Sequence, residues 1–180
     1  MQNMLTEPLR SQARRGMLKL PLALMGMSLL SHPLGVLATN KADLITVWKT
    51  PNCGCCKEWV VHLRKEGFHV VTNDVNDTAP IRQKLGLPAK FGSCHTAQVS
   101  GYVLEGHVPA REVMRLLRDK PAAVGLAVPG MPVGSPGMEM PGDMLGVRDA
   151  FDVVLVNKDG NASVYASYPA QAATASRARS

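Results

Sequence analysis

Leu44-Ile45-Thr46-Val47-Trp48 is an apolar, β-branched run, and just beyond it three cysteines fall within four positions, in Thr50-Pro51-Asn52-Cys53-Gly54-Cys55-Cys56-Lys57. A short run of this kind reads as a buried strand. After the turn, Trp59, Val60, Leu63 and Gly67 recur at helix spacing over 57–66, with Gly67 as the closing residue. The chain is therefore committed to a strand, a cysteine-bearing turn and a helix. That order sets three thiols at a helix N-terminus, where unpaired N–H groups and the helix dipole favour thiolate.

The pattern continues in the same alternating style. Phe68-His69-Val70-Val71-Thr72 reads as a second strand, and residues 78–85 as a short helix closed by Gly86-Leu87-Pro88. Residues 96–100 and 102–105 read as strands joined tightly at Gly101, and Pro109 opens a helix over 110–117. A strand, helix and strand in succession form a βαβ unit with parallel strands. The order is thioredoxin-like, so the expected fold class is α/β, a mixed sheet flanked by helices. The expected domain runs over 39–168 and includes a Gly/Pro/Met-rich loop over 121–145. Residues 125–143 alone hold four prolines and five glycines without periodicity. Strands over 153–156 and 163–168 follow, with a turn at Asn157-Lys158-Asp159-Gly160 between them. Residues 169–180 are Ala/Ser/Arg-rich and are expected to be a flexible tail. No internal repeat is visible.

The N-terminus reads as an export signal. Arg14-Arg15 begins a charged region, Leu20 to Leu30 is almost wholly apolar, and Val36-Leu37-Ala38 offers small residues for cleavage. The apolar run is shorter than the about 20 residues of a comfortable membrane span, so a cleaved signal over 1–38 and no span in the mature protein are expected. Ala13-Arg14-Arg15-Gly16-Met17-Leu18-Lys19 resembles the twin-arginine export motif, with Met17 where that motif prefers Phe. The formal charge of the whole chain is +6, but residues 1–38 carry four of the 20 basic residues and one of the 14 acidic. The remainder, about +3, has no basic stripe with interleaved aromatics, which argues against nucleic acid as a partner.

Export brings the cysteines into an oxidising compartment, where four cysteines can simply be two disulfides. Against that, pairing Cys55 or Cys56 outward strains so short a motif. Cys53 and Cys56 make a CxxC at a strand-to-helix turn, which suits a thiol–disulfide oxidoreductase and a metal site equally. Cys55 favours metal, because a third thiol inside a redox pair only offers competing disulfides. Cys94, in Ser93-Cys94-His95-Thr96, lies just before the strand that a thioredoxin-like fold sets opposite the CxxC. It is expected to complete a four-sulfur nest. Adjacent cysteines converge poorly on one tetrahedral zinc, whereas copper(I) accepts two or three soft thiolates and tolerates bridging sulfurs. Copper is thus the expected ion, as Cu(I) or in part Cu(II), singly or as a multinuclear set.

His95 is the imidazole nearest that site in sequence, and His107 in Glu105-Gly106-His107-Val108-Pro109 comes next; both are candidate auxiliary ligands. His62 reads equally well as a half-buried helix residue, and His69 as the start of a strand. Met131, Met138, Met140 and Met144 are soft thioethers that either reach metal or merely cover apolar surface. Met114 reads as core packing on a helix face. No Ser/His/Asp set, phosphate-cradling loop or paired-carboxylate arrangement is recognisable.

TPNCGCCKEWVVHL, GSCHTAQVSGYVLEGHVPA and GLAVPGMPVGSPGME together resemble the small exported metal-binding proteins related to the copper-resistance protein CopG, over about residues 44–156. The resemblance implies a thioredoxin-like fold in which Cys53, Cys55, Cys56 and Cys94 bind copper. It also implies a periplasmic role in copper handling, with other copper-handling proteins as partners and interconversion of Cu(I) and Cu(II) as possible chemistry.

Overall fold

The computed structural model describes residues 44–173. The expected signal over 1–38 and residues 174–180 of the expected tail lie outside the described residues. Seven strands form one mixed sheet in the order β2-β1-β3-β4-β5-β6-β7. β1 (Leu44–Lys49) runs into α1 (Gly54–Lys65) and returns as β2 (His69–Asp74), parallel to β1. After the short α2 (Ala79–Lys84), β3 (His95–Val99) and β4 (Tyr102–Glu105) form a hairpin, with β3 antiparallel to β1. α3 (Ala110–Asp119) then crosses to β5 (Ala123–Ala127), which lies parallel to β4. β6 (Phe151–Asn157) and β7 (Ala162–Tyr168) extend the sheet antiparallel. The fold is therefore α/β on a mixed sheet, as the strand and helix pattern predicts. The pattern predicts the βαβ unit of β1, α1 and β2, and the structure adds a second one of β4, α3 and β5.

α1 owes its seat to spacing. Cys56, Trp59, Val60 and Leu63 are its buried residues, one apolar stripe at i, i+3, i+4 and i+7. Trp59, Val60 and Leu63 meet Ile45 and Val47 of β1 and Val113 and Leu116 of α3 in one core cluster. Burying side chains of this size stabilises by about 1.5–3 kcal/mol each before entropy is counted. The helix closes with Phe68 N–H on the Leu63 carbonyl at 3.1 Å and Gly67 N–H on the Arg64 carbonyl at 3.1 Å.

Three expectations need correction. The loop expected over 121–145 begins too early, because β5 is a strand inside the sheet, between β4 and β6. Its sequence, Ala-Val-Gly-Leu-Ala, hides the strand behind small residues. Gly125 is there for room: a Cβ at that position would lie 1.8 Å from the Val103 carbonyl oxygen. The tail is not free at its start, since Arg148 and Gln171 exchange two backbone hydrogen bonds of 2.8 Å. Met114 is not core; it is 43% exposed on α3.

Register decides where chemistry can gather. Lys49 at the end of β1 pairs with His95 at the start of β3, Thr96 pairs with Glu105 at the end of β4, and Glu105 pairs with Ala127 at the end of β5. The cysteine turn, Cys94-His95, His107 and the loop after β5 thus share one end of the sheet. Among the described residues no helix is long and apolar enough to cross a membrane.

Candidate metal centre

The cysteine turn is fixed by its own backbone. Cys53 N–H donates to the Thr50 carbonyl at 3.2 Å, and Cys53 caps α1 by accepting the Cys56 N–H on its Sγ at 3.3 Å. Capping of this kind satisfies one of the orphan donors at a helix start, here with sulfur in place of oxygen. Cys53 and Cys56 are joined as a disulfide, while Cys55 and Cys94 are free thiols. Cys55 Sγ lies 3.5 Å from Cys53 Sγ, and Cys56 Sγ lies 3.7 Å from the Cys94 carbonyl oxygen. The four sulfurs all fall within 4.8 Å of one another. Cys56 is buried, and the other three are partly accessible.

Cys94 is also the centre of a second group, with His95 and His107. Its Sγ lies 3.2 Å from His95 Nδ1 and 3.1 Å from His107 Nε2. His107 Nδ1 lies 2.8 Å from the Pro136 carbonyl, which can only accept, so Nδ1 carries the proton and Nε2 presents its lone pair to sulfur. His95 is fully buried beside Trp59, with ring centroids 4.3 Å apart, and meets His107 edge-on at 5.1 Å. Its Nε2 makes no hydrogen bond. Burial, and then the neighbouring His107, push His95 down to about 3. Burial also lowers His107. Both rings are therefore neutral bases at physiological pH. Burial foremost, then the charge of Cys55, pushes the Cys94 thiol up to about 12. A bound cation would supply the positive charge needed to displace that proton.

The loop after β5 is seated on this centre. Ser93 Oγ donates to the Gly130 carbonyl at 2.5 Å, and His107 Nδ1–H holds Pro136. Gly137 lies so close to α1 that a Cβ there would stand 2.5 Å from Trp59 N and 2.7 Å from the Cys55 carbonyl. Met131 and Met144 are 54% and 45% exposed, while Met138 and Met140 are half-buried. His62 has another task, its Nε2 accepting the Ala110 N–H at 3.1 Å at the start of α3, and His69 is exposed at the head of β2.

All six candidate residues, Cys53, Cys55, Cys56, Cys94, His95 and His107, thus meet in two donor groups that share Cys94. Sequence reasoning missed three side chains around them. Trp59 lies beneath His95, and Arg82 and Glu105 grip the peptide before Cys94. The available signal was Glu105 itself, an acid at the end of the apolar strand Tyr102-Val103-Leu104 and next to a histidine loop.

Thiols and imidazoles crowded at one sheet end define a cysteine-rich centre able to hold soft or borderline metal ions. Two solved structures are similar to this chain in fold and sequence, described as "Copper resistance protein copG- Form 1" and "Copper resistance protein copG- Form 2". The first is 47% identical with a TM-score of 0.65, covering 70% of this chain and 97% of that one. The second is 45% identical with a TM-score of 0.66, covering 72% of this chain and 100% of that one. The chain belongs to the CopG copper-resistance family. A family model described as a protein of unknown function, DUF411, matches residues 91–138, the span that holds Cys94, His95, His107 and much of the covering loop. No curated protein matches the chain.

Proposed function

We propose that this protein is an exported, periplasmic copper-binding protein of copper resistance and homeostasis. In this reading Cys53, Cys55, Cys56 and Cys94 hold Cu(I) as thiolates once the Cys53–Cys56 disulfide is reduced, in a mononuclear or multinuclear set. His95 and His107 then serve as nitrogen ligands that favour an oxidised ion, with Cys94 common to both groups. The observation that carries the reading is the closeness of the donors: four sulfurs within 4.8 Å of one another, and one of them within 3.2 Å of two neutral imidazole nitrogens. Soft thiolates suit Cu(I) and imidazole suits Cu(II). The order β2-β1-β3-β4, with α1 after β1 and α3 after β4, supports a thioredoxin-like core extended by β5, β6 and β7. The two copper-resistance relatives support copper as the cargo.

The test is a thiol count by mass spectrometry on the reduced full chain, paired with anaerobic Cu(I) titration against a competing chelator. Tight uptake that protects all four thiols from alkylation is the expected result. A protein whose thiols remain open to alkylation at saturating Cu(I) would end this reading.

The Cys53–Cys56 disulfide at the start of α1 favours a second reading, a thiol–disulfide oxidoreductase. Reductase activity that survives loss of Cys55 and of copper would favour it.

A further inference from the structure

Glu105 ends β4 fully buried, with both carboxylate oxygens accepting from named donors. Oε1 accepts from Arg82 Nε at 2.8 Å and from the Ser93 N–H at 2.7 Å, and Oε2 accepts from Thr96 Oγ1 at 2.6 Å. Arg82, itself 8% exposed, sets Nη2 2.7 Å from Oε1 and donates onward to the Ser93 carbonyl and to Thr78 Oγ1, each at 3.1 Å. One ion pair therefore holds both the N–H and the C=O of Ser93. That carbonyl belongs to the peptide bond leading into Cys94, so its direction fixes the plane from which the Cys94 side chain departs.

A buried ion pair of this kind is weak as a source of stability. Desolvation of the two charges consumes most of their attraction, and apolar residues of similar volume often serve the fold as well. What apolar residues cannot do is bind a peptide N–H and a peptide C=O at once. Arg82 comes from α2, Glu105 from β4 and Ser93 from the loop before β3, so the pair ties three separate elements to the approach of Cys94.

We propose that Arg82 and Glu105 are positioning residues for the metal centre, gripping Ser93 so that Cys94 Sγ faces both imidazoles and the cysteine turn together. The proposal rests on Cys94 being a ligand, as argued above. It adds that the ligand's aim is set by a buried ion pair that touches no metal.

The test uses the reduced full chain, with two variants: Arg82→Lys, and Arg82→Met combined with Glu105→Leu. Lysine keeps the charge beside Glu105, but as a single point donor it cannot reproduce the fork that reaches Ser93. The apolar pair is expected to fold cooperatively in thermal unfolding. In both variants the alkylation rate of Cys94 relative to Cys55, without copper, is expected to rise roughly tenfold, and Cu(I) affinity to fall about 10- to 100-fold, as for other supports of metal ligands. Folded variants with an unchanged alkylation ratio and unchanged affinity would overturn the proposal. If the double variant does not fold, Arg82→Lys decides alone by the same two readouts. If wild-type protein takes up no Cu(I), Cys94 is not a ligand and the reading beneath the proposal fails, while the alkylation ratio still decides whether the pair aims Cys94.

Discussion

His107 Nε2 stands 3.1 Å from Cys94 Sγ while its Nδ1 is tied to the Pro136 carbonyl at 2.8 Å. One ring nitrogen is spent on the covering loop, so the other is left as an unprotonated donor aimed at sulfur. His107→Ala removes that donor, the contact with Pro136 and the edge against His95. The expected outcome is a loss of about 10- to 100-fold in Cu(II) affinity, with a smaller effect on Cu(I). Competition titrations with each ion measure this, and equal losses for both ions would contradict a nitrogen role specific to the oxidised form.

Cys55 separates the two functional readings. It is a free thiol with its sulfur 3.5 Å from Cys53 Sγ, and it takes no part in the disulfide. Cys55→Ser should leave the fold and the Cys53–Cys56 pair intact while lowering Cu(I) stoichiometry or affinity, because a hydroxyl is a hard and weak ligand for a soft ion. A dithiol reductase would keep its activity in the same variant. Unchanged copper uptake in Cys55→Ser would remove the reason for a third thiol in the turn.

The buried imidazoles predict an acid limit for the copper-free protein. An unfolded histidine titrates near 6.5, whereas burial, and then His107, hold folded His95 down to about 3. Below pH 6.5 the unfolded chain therefore takes up a proton that the folded one refuses, and stability falls as pH falls through the window between these values. The expected slope from this group is about 1.4 kcal/mol per pH unit within that window. Urea midpoints for wild type and His95→Gln over pH 7 to 4 measure it. Wild type should lose stability faster, and parallel curves would mean that His95 does not stay neutral.

How far the sequence carries depends on how local each signal is. β1, the cysteine turn and α1 were legible because β-branched residues, thiols and a Trp59-Val60-Leu63 stripe lie within one continuous stretch. Cys94 was reachable only through a fold expectation, since its meeting with the turn depends on β3 pairing with β1. β5 was not legible, because Gly125 is there to let the Val103 backbone approach and carries no periodicity. Glu105 stands out in sequence as an acid ending an apolar strand, but its pairing with Arg82 was not legible, for a similar reason. They lie 23 residues apart, and only the packed sheet end brings them to Ser93. The covering loop read only as a Gly/Pro/Met-rich loop, because glycine and proline are counted as turn residues. Its contacts with Ser93, His107 and α1 are tertiary.

Gly137 tests whether that loop controls access. Its φ is +84°, a region that disfavours any residue with a Cβ, and its own Cβ would press on the backbone of Trp59 and Cys55. Gly137→Ala must therefore lift the loop from α1 rather than compress the helix. The core beneath is carried by Trp59, Leu63 and the strands, so the global fold should survive, with a cost confined to local opening of about 1–3 kcal/mol. Amide hydrogen exchange over 130–140 should accelerate by one to two orders of magnitude, as that opening energy implies. Exchange in β1 and β3 should be unchanged. Copper release to a chelator should quicken in step if the loop shields the centre. Faster exchange without faster release would make the loop a structural cover only, and copper would then leave by the partly accessible Cys53 and Cys55 side of the turn.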